Sequence, residues 1–297
     1  MNIKKRIKKY LGRGVGVNIL FGIFFVLFFV YSVSLVYPFI WSFLNALKTN
    51  EEYWTNSFNL AANPDFGNFI KAFTELKVAK SNPLEHTNYL EMLVNSCWFT
   101  FLGAFLNTFC SVMVAYALSK YSFKGAGIIY AVAIFSMIIP IVGSLPAMYR
   151  LVYSLGIDNS PIYLVTACGG FGFSFIVMYG FFKNISWTYA EAAFIDGASN
   201  TKVFLRVMLP QARAAFVSLF IIASMARWND YMTPLLFLND YATISTGLFV
   251  FKNSPLFGSN MPVYYAALLI SVLPIVIIFV AFQDTIMSNT VAGGLKG

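Results

Sequence analysis

The chain has 297 residues, of which 59% are hydrophobic and 11% are charged, and its mean hydropathy is +0.71. Soluble domains carry roughly 25% charged residues, so the composition excludes an ordinary soluble globular protein. The net charge of +8 could suggest nucleic-acid binding, but the positive residues lie in short segments between apolar runs. We therefore expect no nucleic-acid partner, and we expect membrane lipid around most of the chain.

Residues that carry out catalysis or bind metals are scarce. His86 is the only histidine, and no Ser/His/Asp constellation can be assembled around it. Cys97, Cys110 and Cys168 lie within apolar runs without a Cys-x-x-Cys spacing, so we expect buried thiols rather than disulfides or metal ligands. The phosphate-binding pattern GxxxxGK[ST] does not occur. We therefore expect no catalytic site, no metal and no cofactor bound by this chain.

The chain begins with a basic segment, residues 1–16, followed by an apolar run over 17–46. This run exceeds the about 7–15 apolar residues of a signal peptide, and no Ala-x-Ala cleavage pattern follows it. We expect a retained first transmembrane helix that Pro38 bends near its far end. Residues 47–88 are polar and rich in turn signals, which predicts an extracytoplasmic loop folded as a small cap of short helices.

A core segment, residues 89–286, contains five further apolar runs, each near the ~20 residues needed to cross a bilayer. They lie at about 90–118, 125–149, 161–182, 211–237 and 262–285. Pro140 and Pro146 predict a kink or a break in the third span. A short tail, residues 287–297, follows. The sequence thus predicts an all-α integral membrane protein with six transmembrane helices.

The distribution of Lys and Arg predicts the orientation of these spans. A cytoplasmic N-terminus places six of these residues at the start, two at 120–124, four between 183 and 213, and Lys296 on the cytoplasmic side, which is 13 of the 20. Cytoplasmic loops are enriched in Lys and Arg. We therefore expect both termini, and the segment between the fourth and fifth spans, to face the cytoplasm.

That segment, residues 187–210, predicts a helical hairpin. Ser186 is a candidate N-cap for its first helix, and Glu191 falls in the early turns, where a carboxylate suits the positive end of the helix dipole. Asp196-Gly197 predicts the end of this helix, because glycine tolerates the left-handed conformation.

The second helix of the hairpin is predicted to begin after Ser199, another candidate N-cap. Its apolar stripe consists of Val203, Phe204, Val207 and Met208. Pro210 suits the first turn of the next helix, and Ala192 and Ala193 would let a partner approach the backbone closely. Two interpretations stay open: a hairpin that docks on a protein partner, and an amphipathic hairpin that contacts only lipid headgroups.

The order of residues in this hairpin resembles the cytoplasmic motif of permease subunits of bacterial ABC importers. The matching positions are Glu191, Ala192, Ala193, Gly197, Val207, Leu209 and Pro210. Two features depart from the family: Val207, where Ile is commoner, and the residues at 186–190 ahead of the motif. The resemblance implies a coupling helix that docks into a groove of an ATPase subunit, with its turn at 196–199.

Further stretches resemble the MalG-like subunit of sugar permeases of the maltose-transporter type. They lie at 115–125, 195–199, 228–230 and 292–297. The resemblance implies the permease fold of type I ABC importers, in the bacterial cell membrane, and pairing with a second, homologous permease. It also implies two ATPase subunits that bind ATP and Mg²⁺, an extracytoplasmic solute-binding protein, and a carbohydrate substrate.

Arg227, Asn229 and Asp230 form a polar cluster roughly 25–30 Å along the fifth span from Pro210. Charged groups at such depth are costly unless they face a bundle interior, water or a partner. One interpretation is a lining of the translocation path or its outer gate. The other is a local Arg–Asp pair, with the nearby aromatic residues Trp228 and Tyr231 anchored at the membrane interface.

Two other classes of membrane protein fit the composition less well. A secondary transporter driven by an ion gradient would need carboxylates buried in mid-membrane, and the predicted spans carry few ionisable residues outside 227–230. A membrane enzyme, such as a lipid-linked glycosyltransferase, would need clustered catalytic carboxylates or metal ligands at an interface. The sequence offers no such cluster.

Overall fold

The computed structural model describes the backbone of residues 15–138, 143–254 and 260–292, and the side chains of residues 16–138, 143–254 and 260–283. Nearly all of the basic N-terminal segment, Pro140 and the end of the tail therefore lie outside the described residues. Within these residues the protein is mostly helical. The predicted all-α class is confirmed for them, apart from one two-stranded sheet.

The first helix, α1, spans Val15–Ala46, and its most apolar stretch is not buried by the rest of the chain. A cap follows, built from α2 (Asn50–Thr55), α3 (Gly67–Glu75) and the antiparallel strands β1 (Val78–Ala79) and β2 (His86–Thr87). A capping box of Thr49 and Glu52 starts α2. The short helices agree with the predicted cap, whereas the strands were missed because two residues carry no readable alternation.

Helix α4 (Tyr89–Lys120) covers the second predicted span, and the side chain of Asn88 caps its first turn. The third span consists of two helices, α5 (Ala126–Ile138) and α6 (Ser144–Ser154), in agreement with the predicted kink or break. Pro146 lies in the first turn of α6, where its missing N–H leaves no helical bond unmade.

The fourth predicted span, 161–182, is wrong as a continuous helix. A 3-10 helix covers Pro161–Ala167, and α7 (Phe173–Asn184) begins only after an irregular stretch. Within this stretch Gly170 and Gly172 have φ angles of 70° and 138°. These angles interrupt a right-handed helix, and glycine adopts them without steric cost.

The hairpin and the end of the chain contain the remaining helices. They are α8 (Thr188–Ile195), α9 (Asn200–Val203), a π turn (Phe204–Met208), α10 (Leu209–Gln211), α11 (Arg213–Trp228), α12 (Met232–Phe237), α13 (Ile244–Asn253) and α14 (Met261–Ala292). The fifth predicted span, 211–237, is therefore also wrong as one helix. Its break follows Trp228, where Asp230 Oδ1 accepts a hydrogen bond from Thr233 N–H at 3.0 Å and caps α12.

Three helices of the described residues are long and apolar enough to cross a membrane: Gly16–Ala46, Tyr89–Lys120 and Met261–Gln283. A fourth candidate is the pair Asn200–Gln211 and Arg213–Trp228, if these two helices, bent by 82°, form one span. Helix α5 is apolar but shorter. Length and composition thus indicate a membrane protein with several spans.

Buried side chains form three clusters. The largest lies where the Lys120 end of α4 meets α7 and the hairpin, the second joins the cap to α13 and α14, and the third surrounds the 3-10 helix. The predicted burial of the cysteines is wrong within this chain, because Cys97 and Cys168 are exposed and Cys110 is half-buried. Apolar runs in a membrane protein can face lipid instead of the chain's own core.

Candidate functional site

The first helix of the hairpin, α8, ends in a complete Schellman motif. Ala198 N–H donates to Ala193 O, and Gly197 N–H donates to Phe194 O, both at 3.0 Å. Gly197 has a φ angle of 78°, which this motif requires after the C-cap residue Asp196. The predicted turn is confirmed, and its hydrogen bonds hold the second helix at a fixed angle to the first.

The start of α8 differs from the prediction by one residue. Trp187 occupies the N-cap position and makes no side-chain cap. Ser186 lies just before it, and its Oγ accepts a hydrogen bond from Thr188 N–H at 3.3 Å. Glu191 is exposed in the first turn of the helix, as predicted, where the carboxylate favours the positive end of the dipole.

The second helix begins at the predicted N-cap, because Ser199 Oγ accepts a hydrogen bond from Lys202 N–H at 3.4 Å. Three members of its predicted apolar stripe, Val203, Phe204 and Met208, are buried in the largest cluster. The stripe therefore faces the chain's own helices rather than lipid headgroups.

A π turn and a sharp bend connect the hairpin to α11. Within the turn, Leu209 N–H bonds to Phe204 O, five residues earlier. Pro210 has no N–H to continue α-helical bonding, and π turns accommodate such an interruption. As predicted, Pro210 lies in the first turn of a new helix, α10, although this helix is short. The helical path continues to Gln211 and turns by 82° before Arg213.

Three contacts join the hairpin to the Lys120 end of α4. Lys120 Nζ donates to Ile185 O at 2.5 Å, and Tyr121 Oη donates to Asn200 Oδ1 at 3.1 Å. The ring of Trp187 packs edge-on against Tyr121, with 5.7 Å between the ring centres. These contacts connect Ile185, just ahead of the hairpin, and the starts of both hairpin helices to the Lys120 end of α4.

The side of α8 that faces away from α4 is open. Tyr189 and Ile195 are 56% and 87% exposed, and Ala192 lies exposed between them, at a spacing of three residues. Glu191 is exposed beside this row, whereas Ala190 is fully buried. The arrangement presents an apolar row with a neighbouring carboxylate, which suits docking of a protein surface.

Arg227 lies in the last turn of α11, and its side chain crosses to α4. Its guanidinium carbon lies 5.5 Å from the centre of the Phe99 ring. A Cβ atom at Gly103 would lie 2.8 Å from Arg227 Cδ, so the glycine makes room for the arginine.

The three residues predicted to line a path do not converge. Arg227 faces α4, whereas Asn229 is exposed and its Nδ2 donates to Met225 O of its own helix at 2.8 Å. Asp230 is engaged in capping α12. Of the three, only Arg227 has a side chain that contacts α4 in the hydrogen bonds and ring contacts of the described residues.

The alternative interpretation of this cluster is also corrected. Within the described side chains, ion pairs join Lys71 to Asp65 and Lys80 to Glu91 but do not join Arg227 to Asp230. Trp228 is 6% exposed, and its Nε1 donates to Ser271 O at 3.2 Å. It is a packed residue between α11 and α14 rather than an interfacial anchor, because the break after α11 turns the chain back over the bundle.

Sequence reasoning missed the side chains that hold these features in place. In the sequence, Lys120 and Tyr121 belong only to the short segment between the second and third predicted spans. Their hydrogen-bond partners in the structure lie more than 60 residues away. Gly103 could have been found, because an isolated glycine within a long apolar helix is typical of close approach by another group.

One family profile and several curated relatives match this chain. The profile of the family described as "Binding-protein-dependent transport system inner membrane component" matches residues 107–289. A "Probable ABC transporter permease protein YurM" of Bacillus subtilis is 27% identical over 272 residues, which is 90% of this chain and 86% of that protein. The "Diacetylchitobiose uptake system permease protein NgcG" of Streptomyces coelicolor is 24% identical over 90% of this chain and 86% of its own length.

A third relative and one solved structure complete the comparison. The "Arabinooligosaccharides transport system permease protein AraQ" of Halalkalibacterium halodurans is 26% identical over 88% of this chain and 91% of its own length. A chain from the crystal structure of a bacterial ABC transporter involved in the import of the acidic polysaccharide alginate superposes with a TM-score of 0.76. The match covers 92% of this chain and 98% of that chain at 21% identity, so the two share a fold.

Proposed function

This chain belongs to the family of inner membrane components of binding-protein-dependent transport systems, and from that premise we propose that it is a MalG-like permease subunit of an ATP-driven carbohydrate importer. One observation carries the proposal: the hairpin at 187–210 is short, hydrogen bonds fix its turn and cap its second helix, and one side of its first helix is exposed. A permease of this kind has no catalytic site. ATP and Mg²⁺ bind to the partner ATPase subunits, which hydrolyse the nucleotide.

The hairpin is the coupling element of this mechanism. Two ATPase subunits close on ATP, and the groove that holds α8 moves with one of them. Ala190 of α8 and Val203 of α9 share a buried cluster with Tyr116 of α4 and Phe182 of α7. Because close-packed interiors transmit strain, displacement of α8 moves these helices as a unit between inward-facing and outward-facing states.

Six spans with both termini in the cytoplasm fit the fold and the distribution of positive residues. They consist of α1, α4, α5 with α6, the 3-10 helix with α7, α11 with α12, and α14. The irregular backbone at 168–172 and 229–231 is tolerated within a membrane where the chain is covered by protein or lines a water-filled cavity. A second, homologous permease supplies such cover in the proposed heterodimer.

The carbohydrate assignment and the solute-binding protein are supported by the relatives. Two of them are named as permeases for diacetylchitobiose and for arabinooligosaccharides, and a solved structure of similar fold contains a periplasmic protein bound to an alginate pentasaccharide. That neighbour has a TM-score of 0.54. We infer an oligosaccharide that an extracytoplasmic solute-binding protein delivers to this permease.

The test combines complex assembly with transport. Membrane complexes containing Glu191→Lys or Gly197→Pro are purified, the copurifying chains are identified, and uptake of radiolabelled arabinooligosaccharides and diacetylchitobiose is measured in vesicles. Both variants should lose ATPase subunits or uncouple ATP hydrolysis from uptake. The control is Glu51→Lys, the same charge reversal in the exposed first turn of α2, which should behave as wild type. Wild-type assembly and uptake in both hairpin variants would refute the coupling role.

The second candidate is a carrier driven by an ion gradient. It would need buried carboxylates, and the fully buried polar side chains of the described residues include none. Uptake in vesicles that hold a proton or sodium gradient but contain no ATP would favour this carrier over the ATP-driven importer.

A further inference from the structure

Helix α3 of the cap presents three different faces. Its buried face is formed by Asn68, Ala72 and the following Leu76. Its polar face is formed by Lys71, and Thr74 lies at the edge between this face and the third one; both residues are exposed. Its third face is formed by Phe66, Ile70 and Phe73, which are 63%, 71% and 42% exposed. The third face follows the spacing i, i+4, i+7 of an apolar helical stripe, although the rest of this chain does not cover it.

Hydrogen bonds fix the depth of α3 relative to the first span. Asn68 Nδ2 donates to Ala46 O at 2.9 Å and to Lys48 O at 2.8 Å. These carbonyls lie at the end of α1, where the apolar run gives way to polar residues. The start of α3 therefore lies level with the end of a membrane-crossing helix, which is the depth of the lipid headgroups.

The third face continues the exposed apolar surface of α1. Phe69, at the edge of this face, contacts Phe43 of α1, with 6.4 Å between the ring centres. Phe43 and the preceding Phe39 and Ile40 are 45%, 51% and 53% exposed. A lipid-facing surface thus passes from α1 onto α3 without a polar gap, while the ion pair of Lys71 with Asp65 at 3.0 Å lies on the polar face.

We propose that α3 is an interfacial helix whose third face is embedded among phospholipids at the Ala46 end of α1, which is the outer leaflet in the proposed topology. Helices that lie in a membrane surface have this division of an apolar face from a polar face. A docked solute-binding protein would approach the cap from the aqueous side, where Lys71 is. The inference adds a lipid-binding surface to the proposed function and requires only that α1 spans the membrane.

The opposite flank of α1 has a matching surface. Trp54, Phe58 and Leu60 are 65%, 75% and 74% exposed. Phe58 contacts Trp41 of α1, with 6.2 Å between the ring centres. Trp41 and Phe43 are two residues apart, and so point to opposite sides of the helix. The cap therefore straddles the end of α1 with exposed aromatic residues on both sides, as is typical of membrane interfaces.

The experiment compares two spin-labelled positions on α3. The three native cysteines are replaced by alanine, and a nitroxide label is attached to Ile70→Cys on the third face or to Lys71→Cys on the polar face. The purified full-length complex is reconstituted into phosphatidylethanolamine–phosphatidylglycerol vesicles. Collision rates are measured with oxygen, which concentrates in the bilayer, and with a water-soluble nickel chelate. Samples are used only when they elute at the same volume as the unlabelled parent.

The label at position 70 should collide with oxygen several-fold more than with the chelate, relative to the label at position 71. Equal access of the chelate to both positions would overturn the proposal, because the third face would then lie in water. Protection of position 70 from both reagents would also overturn it, because a protein would then cover this face. Neither result depends on coupling by the hairpin, so failure of this inference is distinguishable from failure of the proposed function.

Discussion

Gly103 of α4 and Arg227 of α11 are in direct contact. A Cβ atom at position 103 would lie 2.8 Å from Arg227 Cδ and 2.9 Å from Nε, closer than such atoms approach in proteins. Phe99, one turn away on the same helix, places its ring under the guanidinium group. A charge within an apolar bundle is costly. Here Gly103 makes room for the Arg227 side chain, and the ring of Phe99 stacks against its guanidinium group.

Replacement of Gly103 by alanine should therefore be about 1–3 kcal/mol less favourable than Gly127→Ala, because the added methyl group overpacks the contact with Arg227. The measurement is the thermal unfolding midpoint of the purified chain in detergent. Gly127→Ala in α5 is the matched control, since a Cβ there meets nothing within 4 Å and alanine favours helix by about 1 kcal/mol. The penalty at position 103 should shrink in an Arg227→Ala background; equal penalties in both backgrounds would contradict the proposed contact.

Arg227 itself should affect transport more than assembly. Arg227→Leu removes the charge that lies over the Phe99 ring, and should change uptake or basal ATPase activity several-fold while the complex still copurifies. Arg227→Lys keeps the charge but loses the planar stacking on Phe99, so it should give an intermediate effect. If Arg227→Leu instead prevents folding or assembly, the residue is structural and has no part in the translocation path.

Asp240 should make the loops beyond α12 sensitive to acid. Its carboxylate accepts hydrogen bonds from Ser81 N–H and from Asn159 Nδ2, both at 2.6 Å, and its own N–H donates to Asn159 Oδ1 at 2.8 Å. The bond from Ser81 N–H, together with those from Asn159 and the nearby Lys80 charge, lowers the pKa of Asp240 below its usual value of 3.8. These bonds tie three separate loops together.

The sign of the pH effect follows from the lowered pKa. A carboxyl group with a lower pKa in the folded state stabilises fully above its unfolded pKa, and loses this contribution as the pH falls through the folded pKa. Wild type should therefore unfold at a higher temperature than Asp240→Asn at pH 7, and the difference should shrink progressively as the pH falls below 3.8. The check is the unfolding midpoint of both proteins from pH 7 to pH 3; a constant difference would exclude this linkage.

The sequence predicted the helical class and the turn chemistry of the hairpin, because both depend on local rules. Glycine after Asp196 ends a helix, and Ser199 begins one, whatever surrounds them. It did not predict the breaks at 168–172 and 229–231, because hydropathy measures how apolar a run is and not whether the backbone within it is continuous. In a bundle, neighbouring helices can satisfy a broken backbone, so an apolar run need not be one helix.

Side-chain contacts between distant segments also could not be predicted from the sequence. The link from Tyr121 to Asn200 and the packing of Arg227 on Phe99 depend on which helix faces meet. A single sequence gives the pattern of each face but not the pairing of faces. The cysteine prediction shows the same limit, since apolar surroundings along the chain did not distinguish a lipid-facing surface from a buried one.

Gly197 offers a test of the hairpin that separates backbone conformation from packing. A Cβ at this position would meet nothing within 4 Å, so alanine costs only the strain of a φ angle of 78°, about 1–2 kcal/mol. Asparagine enters the left-handed conformation more readily than alanine. Gly197→Ala should therefore lower the uptake achieved per ATP hydrolysed, and Gly197→Asn should retain most of it. Transport and ATPase rates measured in the same vesicles give this ratio. Equal losses in both variants would mean that the surface at position 197, rather than the turn, limits coupling.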